Sequence, residues 1–159
     1  MPTRFRSWIV LALFILVCLG VGALGSVFTA SSMEVWYPTL RKPSWTPPPA
    51  VFGPVWTTLY TLMAIAAWLV WRRRGIADTT APLSLFAAQL AFNLAWSAIF
   101  FGLRAPGVAF VEIVLLWALV LATLVAFWRV RPLAGALLLP YLLWTTYAIA
   151  LNFAIWRMN

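Results

Sequence analysis

Five apolar stretches, each about the length of a membrane-crossing helix, occupy most of this 159-residue chain. They run over 8–28, 51–71, 81–103, 108–128 and 133–156, and the one charge inside them is Glu112. A helix needs roughly 20 apolar residues to cross the hydrocarbon core of a bilayer. With 65% of its residues apolar, a chain this short cannot hide that surface in a water-soluble core. Spanning strands would need alternating polarity, which is absent. The expected fold is an all-α membrane protein, a five-transmembrane-helix bundle forming a single domain over residues 1–159.

The same composition removes much chemistry. There is no His, one Cys (Cys18) and only three acidic residues. Imidazole bases, His metal sites, haem ligation through His and an intrachain disulfide are all excluded. The chain has no HxxxH, no Ser/His pair, no paired carboxylates and no P-loop. No catalytic residue and no metal ligand are therefore predicted. The net charge of +8 is read as membrane anchoring rather than nucleic-acid binding. Arg4 and Arg6 precede the first span, but its apolar run is too long for an ordinary cleaved signal and no convincing small-x-small site follows.

Lys and Arg also set an orientation. The N-terminus, second loop and fourth loop carry Arg4, Arg6, Arg72, Arg73, Arg74, Arg129 and Arg131. The opposite side carries Arg41, Lys42, Arg104 and Arg157. This bias predicts a cytoplasmic N-terminus and an outside first loop. That loop, read as Thr29 to Ala50, contains Glu34, Arg41, Lys42, three aromatic residues and five prolines. Proline and buried rings both restrict the chain, so a structured loop is expected.

Helical periodicity sorts the spans into faces. On the third, Gln89, Asn93, Trp96 and Phe100 share one stripe. An amide in hydrocarbon needs a partner, so this stripe should face protein or a cavity. Ala87, Ala91, Ala95 and Gly102, with Ala98, lie nearly opposite. Small residues allow close helix approach, and these four are the expected surface of a homodimer. The second span aligns Phe52, Trp56, Tyr60, Met63 and Ala67; the fifth aligns Tyr141, Trp144, Ala148, Leu151 and Ile155. A small residue such as Ala148 beside large rings leaves room for a flat guest. Trp8, Trp71, Trp128 and Trp156, at span ends, read as interfacial anchors. Pro140 predicts a kink in the fifth helix. Glu112, near one end of its span, is expected to be neutralised by Arg104 or the first loop.

Several segments together carry a resemblance. The first loop and second span read Trp36-Tyr37-Pro38-Thr39-Leu40-Arg41-Lys42-Pro43-Ser44-Trp45-Thr46-Pro47-Pro48, then Val55-Trp56-Thr57-Thr58-Leu59-Tyr60. The third span adds Gln89-Leu90-Ala91-Phe92-Asn93-Leu94-Ala95-Trp96, and the fifth adds Pro140-Tyr141-Leu142-Leu143-Trp144. This pattern resembles the TspO/MBR family over nearly the whole chain. The resemblance implies a commonly dimeric five-helix bundle that binds porphyrins, sterols and isoquinoline-type drugs between its helices. It implies a ligand site of Tyr37 and Pro47 from the first loop, Trp56 and Tyr60 from the second helix, Asn93 and Trp96 from the third, and Trp144, Ala148 and Leu151 from the fifth. The implied ligand is a tetrapyrrole, protoporphyrin IX or haem, with no cofactor held covalently. A receptor or sensor is the leading reading. A transporter of the same ligands and a light-dependent porphyrin-degrading enzyme are the alternatives. Phe153 stands where the sterol motif of animal members needs Tyr, which weakens the expectation of sterol binding.

Overall fold

A computed structural model of the chain describes residues 4–159, with side chains from Phe5 onward. The Arg4 side chain, part of the charge bias above, lies outside the described residues. Six helices make five spans: α1 (Arg4–Val35), α2 (Pro49–Trp71), α3 (Thr80–Ser97), α4 (Pro106–Val130), and α5 (Pro132–Ala136) with α6 (Leu139–Met158). All five spans are long and apolar enough to cross a membrane. Among the described residues there is no named strand. The expected all-α five-span architecture is what the chain forms.

The first helix departs from expectation. It continues through Thr29 and Glu34 to Val35, so the true loop is shorter and starts at Trp36. Neither Gly nor Pro interrupts residues 29–35, and Ser32 has a partner that makes the extra turns stable: its hydroxyl donates to the Phe101 carbonyl at 2.6 Å. A short 3-10 turn over Tyr37–Thr39 then redirects the chain.

The end of α3 also differs from a plain helix. Ala98–Gly102 forms a π turn, with Leu103 N–H donating to the Ala98 carbonyl. The wider turn brings the consecutive residues Phe100 and Phe101 both into the interior. It also changes the register beyond Ala95. A side chain at Gly102 would lie 3.3 Å from the Phe28 ring of α1. Arg104, with φ 54°, takes the left-handed conformation that closes this turn.

The kink in the fifth span falls at Leu137–Leu138. Pro140 sits in the first turn of α6, where no backbone donor is needed. Against α4 the fifth span packs along both its parts, but α2 packs on α5 and parts from α6. The resulting gap lies in the half of the bundle nearest the first loop. In the other half, Met63, Ala64, Ala67, Leu116, Val120 and Phe127 pack into one hydrophobic core.

Candidate functional site

The gap between α2 and α6 is an internal cavity of about 420 Å³. Small-molecule sites commonly measure about 300–1,000 Å³. Its walls follow from helical spacing. On α2, Phe52, Trp56 and Tyr60 lie one turn apart and point inward; on α6, Trp144, Ala148, Leu151 and Ile155 do the same. The third wall is Asn93, Trp96 and Phe100 of α3, and α1 contributes residues from Leu19 to Met33.

Rings close the gap where the backbones part. Phe52 meets Trp144 edge-on at 6.1 Å between centroids, and Trp56 meets Tyr141 in the same way at 6.2 Å. Trp96 stacks on Phe100 at 5.2 Å. The Trp96 indole N–H donates to Asn152 Oδ1 at 3.0 Å, and Asn152 Nδ2 donates to the Pro106 carbonyl at 2.8 Å. This chain of bonds fixes the Trp96 ring as a wall. Deeper in the bundle, the Tyr60 hydroxyl donates to Asn93 Oδ1 at 2.5 Å, and Asn93 Nδ2 donates to the Tyr141 hydroxyl at 2.8 Å. Three helices are thereby joined through one amide.

The first loop covers the cavity and is pinned at several points. Lys42 Nζ donates to the Tyr37 and Leu40 carbonyls at 2.7 and 2.9 Å and lies 4.8 Å from the centre of the Tyr37 ring. The Tyr147 hydroxyl donates to the Trp45 carbonyl at 2.7 Å. Asn159 accepts from Arg41 N–H and donates to the Arg41 carbonyl, both at 2.9 Å. The Tyr37 hydroxyl is buried at the cavity without a hydrogen-bond partner among the described residues. Burial, and secondarily the nearby Tyr147, raise its pKa above the usual 10.0, so the phenol stays neutral and able to donate.

Eight of the nine residues named for the ligand site line this one cavity: Tyr37, Trp56, Tyr60, Asn93, Trp96, Trp144, Ala148 and Leu151. Pro47 does not; it is half-buried in the loop outside the lining. Of the residues named for a dimer surface, Ala87, Ala91 and Gly102 are exposed and Ala95 is half-buried. The expected neutralisation of Glu112 is not found. Both its carboxylate oxygens are buried and have no partner among the described residues, because Glu112 points into the bundle while Arg104 is exposed on the turn. Sequence reasoning also missed the share of α1 in the cavity, and Phe101, Tyr147 and Asn152. The signal on α1 was faint: Gly22, Gly25, Ser26 and Thr29 are small and suit any helix contact.

These features define a multi-pass α-helical membrane protein built around an aromatic cavity beneath a fastened loop. The chain belongs to the TspO/MBR family, whose model matches residues 14–157. It is 44% identical over 158 residues to the tryptophan-rich protein TspO of Chlorobaculum tepidum, covering 97% of this chain and 98% of that one. It is 45% identical over 138 residues to the translocator protein of Homo sapiens, covering 86% and 82% respectively. To the tryptophan-rich sensory protein of Cereibacter sphaeroides it is 39% identical over 148 residues, covering 93% and 92%.

Proposed function

We propose that this protein is a membrane receptor or sensor whose cavity takes a flat, largely apolar ligand of the tetrapyrrole class. The observation that carries this reading is the set of indole rings, Trp56, Trp96 and Trp144, on three helices around one cavity of about 420 Å³. Rigid rings offer a flat guest contact area at little cost in side-chain entropy. The neutral Tyr37 hydroxyl offers a donor to a carboxylate or carbonyl at the lid. Arg41 is exposed at the same end and supplies positive charge near the rim. The relatives' names, sensory protein and translocator protein, suit a binding role.

The chain has no His, and Cys18 is buried in the packed core, so the guest binds without an imidazole or thiolate ligand to any metal it carries. Metal-free protoporphyrin IX is expected to bind about as well as haem. A homodimer through Ala87, Ala91, Ala95 and Gly102, and an outside first loop, complete the proposal.

Titration of protoporphyrin IX against intrinsic Trp fluorescence tests it. Trp144→Ala removes a stacking wall and should weaken binding by on the order of 1–3 kcal/mol. Ala148→Phe fills the cavity and should weaken it as well. Unchanged affinity in both folded variants would place the site elsewhere.

A further inference from the structure

The cavity meets the protein surface at one seam. Its lining residues on α3, α6 and the first loop are all buried or half-buried. Every lining residue that is exposed lies on α1 or α2: Leu19, Ala23 and Ser26 on the first, Gly53 and Thr57 on the second. Above Gly22, which touches the Tyr60 ring, the two helices present small side chains to each other's edge. At Gly53 an added side chain would meet no atom within 4 Å. By contrast, Phe52, Trp56, Tyr141 and Trp144 seal the α2–α6 side with rings.

Depth decides what lies outside this seam. The middle of the first span (Phe5–Val35) is at residue 20, and that of α2 (Pro49–Trp71) is at residue 60. At 1.5 Å per residue, Ala23, Ser26, Thr57 and Gly53 sit roughly 5–10 Å from the midplane, inside a hydrocarbon half-layer of roughly 15 Å. The seam's hydroxyls are already satisfied. Ser26 donates to the Ala23 carbonyl at 2.6 Å and Thr57 to the Gly53 carbonyl at 2.9 Å. They cost little in lipid and leave the edge of the opening apolar. Entry past the first loop would instead break the Tyr147–Trp45 and paired Arg41–Asn159 bonds.

We infer that the guest reaches the cavity sideways from the bilayer, through the opening framed by Ala23 and Ser26 of α1 and Gly53 and Thr57 of α2. The inference rests on the tetrapyrrole reading and narrows it: the ligands served are those that dissolve in hydrocarbon, and the first loop stays shut while they pass.

Stopped-flow Trp quenching in proteoliposomes, with protoporphyrin IX supplied in the lipid, tests this. A large ring at the opening, Gly53→Trp, should slow association and dissociation together by about tenfold, because a blocked path hinders both directions. Thr57→Trp, one turn away, is the second variant should the first not fold. In an Arg41→Cys, Asn159→Cys variant, closing the disulfide that pins the lid should leave both rates as they are in the same variant reduced. Rates lowered by the disulfide and untouched by both Trp variants would overturn lateral entry while leaving the cavity as the site. Protoporphyrin that fails to bind the unaltered protein would overturn the functional reading, and lateral entry with it.

Discussion

Asn93 joins three helices through one side chain. One amide accepts from Tyr60 on α2 and donates to Tyr141 on α6. In hydrocarbon neither hydroxyl has water to fall back on. Asn93→Ala removes both bonds and leaves two buried hydroxyls short of a partner, a loss on the order of 1–3 kcal/mol. The expected result is a lower melting temperature in detergent. Adding Tyr60→Phe to Asn93→Ala should then cost less than it does alone, which a double-mutant cycle measures. Glu112 makes the opposite case. Its two oxygens are buried and have no hydrogen-bond partner among the described residues. Glu112→Gln keeps the shape and removes an acid without breaking a contact, so thermal stability in detergent should hold or rise. A fall of several degrees would reveal a partner for the carboxylate.

Among the elements, α3 has two working faces. Gln89 and Asn93 are buried, whereas Ala87 and Ala91 remain exposed on the other side. Helix association in lipid depends on close backbone approach, since apolar side chains gain nothing by leaving lipid for protein. Ala91→Leu adds bulk at the centre of the small face and should shift the proposed homodimer toward monomer in cross-linking and sedimentation. An unchanged dimer would mean that another face is used. The inward faces of α2, α3 and α6 were legible because rings and amides recur there at helical spacing. The lining of α1 was not, because Gly22 and Ser26 carry no such mark. Nor was the π turn at Ala98–Gly102, which no Gly or Pro within its first four residues announces, although it decides that Phe101 faces inward. The break before Pro140 was legible as a kink but lies slightly earlier, at Leu137–Leu138, where the proline can start the new helix. Glu112 was misread because distance along the chain to Arg104 says nothing about which way the helix turns its side chain.

The whole molecule is polar in one sense: its two ends differ in charge and in structure. The Trp68 indole donates to the Ser7 carbonyl at 2.8 Å, so the end of α2 lies beside the start of α1. Arg41 and Asn159 bind each other at the opposite end. Arg6, Arg72, Arg73, Arg74, Arg129 and Arg131 therefore share the first end, and Arg41, Lys42, Arg104 and Arg157 the second. Two of the triple arginines are also held in place, Arg72 over the Trp68 ring and Arg74 over Trp71, at 4.8 and 4.1 Å. Excess positive charge resists translocation, so the arginine-rich end should stay in the cytoplasm. The cavity and its loop belong to the other end and should face outward. Cysteines placed at the exposed positions Thr39, in the first loop, and Ile76, in the second, separate the two orientations. The native Cys18 is fully buried and should not interfere. In intact cells a membrane-impermeant maleimide is expected to label Thr39→Cys and spare Ile76→Cys, with both reacting once the membrane is opened. The reverse pattern would turn the molecule over and put the cavity's lid in the cytoplasm.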